Sequence, residues 1–157
     1  MKNFNLEAWE DLERRCQGKI ESPNELVRLL ISERELIFNA ISINESRFRS
    51  GALELIRLLP NCERTYFFPQ LMRIASFVNG FTEDYRNIIN DLPRDWVMAH
   101  IENQVEEILR GGGYEEYRCL LEVCRQVDRD LMKKIARKAA NNIDPDIREA
   151  GRDYLDM

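Results

Sequence analysis

The chain has 157 residues, 44% hydrophobic and 32% charged, with a net charge of −5. A chain of this size and balance builds a globular core without disulfides or metals, and its acidity argues against a general nucleic-acid binder, which carries a basic footprint. The four cysteines (Cys16, Cys62, Cys119, Cys124) are scattered, Met1-Lys2-Asn3 opens no leader of a basic segment and an apolar run, and no stretch approaches a membrane span; a cytoplasmic location with reduced thiols is the expectation.

Apolar residues recur with helical spacing nearly throughout, and no run alternates as a strand does. The pattern predicts helices over 4–17, 23–41, 45–59, 65–79, 83–91, 94–110, 114–126, 129–141 and 145–156. Ser22 before Pro23 and Asp144 before Pro145 read as a cap followed by a first-turn proline. Thr65 and Thr82 read as further caps; Pro93 opens a helix, and Asn79-Gly80 and Gly111 read as helix ends. Gly111-Gly112-Gly113 is a helix connection, since it follows no strand and lacks the spacing of a phosphate loop.

Four of these helices open on an apolar residue followed by arginine: Phe48-Arg49, Tyr85-Arg86, Tyr117-Arg118 and Ile147-Arg148. The arginines are 37, 32 and 30 residues apart, a period that points to stacked repeats. Four positions beyond the apolar residue lie Ala52, Ile89, Leu121 and Gly151; seven beyond lie Leu55, Leu92, Cys124 and Tyr154. Positions 0, +4 and +7 share one helical face, so each copy offers the same stripe for burial. The expected fold is all-α: one domain over 1–157, with a leading helix 4–17 and helix pairs 23–59, 65–91, 94–126 and 129–156.

Asp144-Pro145-Asp146-Ile147-Arg148-Glu149-Ala150 resembles the turn and second-helix opening of HEAT repeats. Pro69 through Arg86 is similar to a whole unit of that family. The resemblance covers roughly residues 23 to 157 and is weakest at 114–126, where Gly113-Tyr114 stands in place of the acidic-proline turn. It implies a short right-handed α-solenoid with extended binding surfaces. It also implies a ladder between turn acids and arginines; Asp144 and Arg148 match it, while Glu45 and Thr82 replace the Asp elsewhere.

Reaction chemistry is sparse. His100 is the single histidine, with no metal-ligand spacing around it, and there is no C-x-x-C. Neither a metal nor a cofactor is expected, and no Ser/His/Asp set can be assembled, so the chain reads as a non-enzyme. Residues 83 to 116 hold nine acidic and three basic residues. Within them Glu102, Glu106, Glu107, Glu115 and Glu116 bracket the glycine turn and form the first-choice partner surface, fitted to a basic protein. The second choice is aromatic: Tyr66, Phe67, Phe68 and Phe81, in a segment holding six of the fourteen aromatic residues. Three consecutive aromatics point about 100° apart, so one of Tyr66, Phe67 and Phe68 should be partly exposed. The expected function is protein binding, as an adaptor or assembly factor. A bacterial immunity protein that neutralises a basic toxin is the first alternative. A nucleic-acid-processing protein using the basic patch Lys133–Lys138 is the second.

Overall fold

The computed structural model describes residues 4–18, 20 and 22–157. Met1, Lys2 and Asn3, from which the lack of a leader was read, lie outside the described residues. Among the described residues every regular element is helical. They are α1 (Leu6–Gln17), α2 (Pro23–Ser32), α3 (Arg34–Ser42), α4 (Ser46–Leu58), α5 (Asn61–Arg64), a 3-10 turn (Thr65–Phe67), α6 (Phe68–Ala75), α7 (Thr82–Asp91), α8 (Arg94–Leu109), α9 (Tyr114–Val127), α10 (Arg129–Ala140) and α11 (Pro145–Leu155). None is long and apolar enough to cross a membrane. The chain divides into two compact units, Met1–Gln70 and Leu71–Met157, with α6 running across the division.

Caps with a side-chain acceptor behave as read. Ser22 Oγ accepts from the Glu25 N–H at 3.2 Å, and Asp144 Oδ1 accepts from the Asp146 N–H at 2.9 Å. The structure corrects four other expectations. The helix predicted over 23–41 breaks at Glu33, whose φ and ψ are −101° and 12°. Two side chains account for the bend: Ser32 Oγ donates back to the Leu29 carbonyl at 2.7 Å, and the Glu33 carboxylate takes Arg15 of α1 at 3.0 Å. The helix predicted over 65–79 is shorter and opens on a 3-10 turn. Pro69 has no N–H to offer the Thr65 carbonyl, so the Phe68 N–H takes it instead, an i→i−3 bond. That helix stops at Ala75 because Asn79 Nδ2 donates to the Ile74 and Phe77 carbonyls while its Oδ1 accepts from the Phe81 N–H. Thr82 is not a cap: it is the first residue of α7, and its hydroxyl donates to Asn79 O at 2.7 Å. Nor does Gly80 or Gly111 adopt the left-handed conformation of a glycine helix end, since no described glycine has a positive φ.

The Met1–Gln70 unit is built on Trp9 and Leu12 of α1, Leu30 of α2, Ile37, Ala40 and Ile41 of α3, and the stripe of α4. Trp9 meets Phe48 edge-on with ring centroids 6.2 Å apart, and Phe4 lies 4.9 Å from Phe48. Gly51 lies under the indole: a Cβ there would be 3.0 Å from Trp9 Cζ2.

The Leu71–Met157 unit packs α7, α9 and α11 against α8 and α10. The closest approach is between α10 and α11. Gly151 lies so near α10 that a Cβ would stand 2.3 Å from Ala140 N and 2.7 Å from Ala136 O. Eleven of the twelve stripe residues at positions 0, +4 and +7 are buried; Tyr117 is the half-buried exception. Asp144 and Arg148, the residues that match the expected ladder, are each engaged locally. Asp144 spends its carboxylate on its own helix N-terminus, and Arg148 Nη1 donates to the Asn142 and Ile143 carbonyls. Arg86 pairs with Glu83 one turn away, and Arg118 reaches Asp153 of α11 at 2.9 Å.

Candidate functional site

The five carboxylates of the acidic band lie in the Leu71–Met157 unit, and each is engaged by another part of that unit. Glu102 and Glu106 lie one turn apart on α8. They pair with Lys134 and Lys138, one turn apart on α10. The hydrogen bond from Lys138 holds the Glu106 carboxyl below the usual carboxylate range, and the same contact raises the Lys138 ammonium. Glu107 lies 3.8 Å from Arg73 of α6. Glu115 accepts the Val78 N–H at 2.7 Å, and Glu116 reaches back to the Gly113 N–H at 2.9 Å. Glu116 thereby serves as the N3 acid of α9, where the helix start favours negative charge.

These contacts place two sequence candidates together. Val78 and Phe81 belong to the loop between α6 and α7, in the aromatic segment; Glu115 belongs to the acidic band. The Val78–Glu115 bond joins the loop ahead of α7 to the start of α9. Val78 is 74% exposed and Tyr114 42% exposed, while Phe77 and Phe81 are half-buried. Two apolar side chains thus stand in solvent beside carboxylates. Val78 and Tyr114 escaped the sequence reading; the signal available was the position of Val78 in the connection between α6 and α7, and of Tyr114 at the very start of α9, where little core claims the side chain.

The other aromatic candidates behave differently. Phe67 and Phe68 are buried at 0% and 1% exposure. Tyr66 is the partly exposed member of the three, and it is occupied within the Met1–Gln70 unit. Its ring lies 4.6 Å from the Arg34 guanidinium and edge-on to Phe38, and its hydroxyl donates to Glu35. The hydrogen bond to Glu35 raises the Tyr66 pKa.

In the basic patch Lys134 and Lys138 are taken by α8 carboxylates, whereas Lys133 and Arg137 are exposed. His100 is exposed and stacked on Trp96, ring centroids 4.0 Å apart, with Nδ1 2.7 Å from the Trp96 carbonyl. Among the described residues no group of three His, Cys, Asp or Glu side chains is placed to hold a metal ion.

The thiols separate by environment. Cys124 is fully buried, and burial pushes its thiol up to about 12 from an ordinary 9.0; burial raises Cys119 as well. At pH 8 that leaves Cys124 with about a thousandfold less thiolate, the reactive form, than an ordinary thiol. Cys62 is exposed. Iodoacetamide at pH 8 is expected to alkylate Cys62 while sparing Cys119 and Cys124, with urea levelling the three; peptide mass spectrometry reads the order.

Set against family models, curated proteins and solved structures, the chain matches none, and its functional reading rests on its own residues and geometry.

Proposed function

We propose that the chain is a non-enzymatic protein-interaction module, built as a short right-handed α-solenoid of the HEAT type, that binds a basic protein. The solenoid reading is supported by the stripe that recurs in α4, α7, α9 and α11. It is also supported by the spacing of links in the Leu71–Met157 unit. Asn90–Gln126, Arg118–Asp153, Arg73–Glu107, Glu102–Lys134 and Glu106–Lys138 join residues 36, 35, 34, 32 and 32 positions apart. In a stack where each layer touches only its neighbours, contacts fall one period apart.

The binding reading rests on one observation: the exposed Val78, in the loop ahead of α7, is tied to Glu115, which follows the exposed Tyr114 at the start of α9. Apolar side chains in water rimmed by charge are the anatomy of a protein interface. The charge favours a basic partner and acts mainly on the rate of encounter. An adaptor or assembly factor is the general form of this reading, and an immunity protein that neutralises a basic toxin is its narrower form.

A photo-reactive amino acid in place of Tyr114 tests it in the source cell. The expected result is one discrete adduct with a basic protein, formed more slowly as salt rises and when Glu107 and Glu115 are both changed to Lys. The same probe in place of Glu149 on α11 should give none. Equal adducts from both positions, or an adduct insensitive to the charge reversal, overturns the reading.

A further inference from the structure

We propose that the outward face of α10 is a second docking surface, for an acidic helix of a partner protein, distinct from the surface around Val78 and Tyr114. Arg129, Lys133 and Arg137 stand at four-residue intervals on α10, all exposed. None has a carboxylate partner among the described residues. At 1.5 Å rise per residue the row spans about 12 Å along one side of the helix.

The occupant is argued from what the same helix already does. The adjoining row on α10, Lys134 and Lys138, is one residue out of phase, and it is filled by Glu102 and Glu106 of α8. Two carboxylates four residues apart on a helix lying alongside are therefore a fit for two cations four residues apart on α10. The row Arg129, Lys133, Arg137 repeats that spacing once more, with its cations unmet. A helix with acids at i, i+4 and i+8 presents the complementary row. The setting separates this occupant from a nucleic acid. A short acidic helix covers only this part of α10, whereas a long polyanion runs on over the α8 carboxylates beside it and a chain of net charge −5.

The test uses the whole chain and a synthetic fluorescent Ala-based helical peptide of about 20 residues with Glu at every fourth position. The same peptide with Gln in place of Glu, and single- and double-stranded DNA of about that many nucleotides, are the rival probes. The expected result is that the Glu peptide binds about tenfold or more tightly than the Gln peptide and each DNA, and shifts amide resonances of α10. Lys133→Glu with Arg137→Glu should abolish that preference, and a Lys-for-Glu peptide should recover it. Lys133→Gln with Arg137→Gln, which introduces no repulsion, should weaken binding in the same direction and covers a failure of the reversal variant to fold. Equal binding of the Glu and Gln peptides, or binding unchanged in both variants, overturns the proposal. DNA binding more tightly than the peptide, with the same α10 shifts, overturns it in favour of a nucleic-acid surface. Glu107→Lys with Glu115→Lys should leave peptide binding intact, so the two surfaces fail or stand separately.

Discussion

Replacing Gly151 with alanine should destabilise the protein, although alanine is the better helix former. Within an exposed helix the exchange gains about 1 kcal/mol. At Gly151 the new methyl would lie 2.3 Å from Ala140 N, 2.7 Å from Ala136 O and 2.8 Å from Ala139 C. These are backbone atoms, so no flexible side chain can swing aside; α10 and α11 must move apart along their contact. Overpacking of this kind costs about 1–3 kcal/mol and occasionally more. Contact with rigid backbone puts Gly151 at the upper end, for a net loss of about 2 kcal/mol after the propensity gain is offset. Gly80 is the control, because a Cβ there meets nothing within 4 Å. Urea unfolding of the two variants should give a clear loss for Gly151→Ala and a change within about 0.5 kcal/mol for Gly80→Ala. A stabilised Gly151→Ala protein would mean that α10 and α11 are not in contact at that point.

The largest expected losses come from the buried faces of the stripe-bearing helices. Ile56 of α4 and Leu121 of α9 are both 0% exposed. Truncating either to alanine removes buried methyl groups and leaves a cavity that the surrounding helices fill only in part. The expected cost is about 2–5 kcal/mol at each site. Leu58, one turn from the stripe and 52% exposed, should tolerate the same change with little effect. The contrast between Ile56→Ala and Leu58→Ala, two neighbours on one helix, measures whether the face assigned to the core is the right one. Losses below about half a kcal/mol at both Ile56 and Leu121 would show that it is not.

What the sequence made legible follows from the range of the interactions. The all-helical class and the buried stripe are set by spacing within one helix, which the chain displays directly. Ser22 and Asp144 were readable because a cap bonds an N–H two or three residues away. The break at Glu33 was only half readable: Ser32 acts locally, but the other support, Arg15, lies eighteen residues back on another helix. The loop after Ala75 is held by Asn79, whose amide wins against a helical pattern that otherwise continues to that residue. The acidic band was visible as composition, but the lysine partners of Glu102 and Glu106 lie 32 residues further along the chain, so nearby residues gave no sign of the Lys134 and Lys138 pairing. A signal did exist: acids at 102 and 106, and lysines at 134 and 138, share one spacing and one offset. Arg129, Lys133 and Arg137 could have been found the same way, as cations at four-residue intervals on a single predicted helix.

The reach of those links has a consequence for how the protein is made. The hydrogen bonds and ion pairs described above span 37 residues at most, the Val78–Glu115 bond being the longest. Low sequence separation between contacting residues favours rapid folding, because little loop-closure entropy is spent before contacts form. A ribosome adds about 5–20 residues per second. A residue of this chain therefore waits only a few seconds of synthesis before the furthest of these hydrogen-bond or ion-pair partners has been joined to the nascent chain. Folding can then proceed vectorially, with each pair of helices supplied with its neighbours as translation continues.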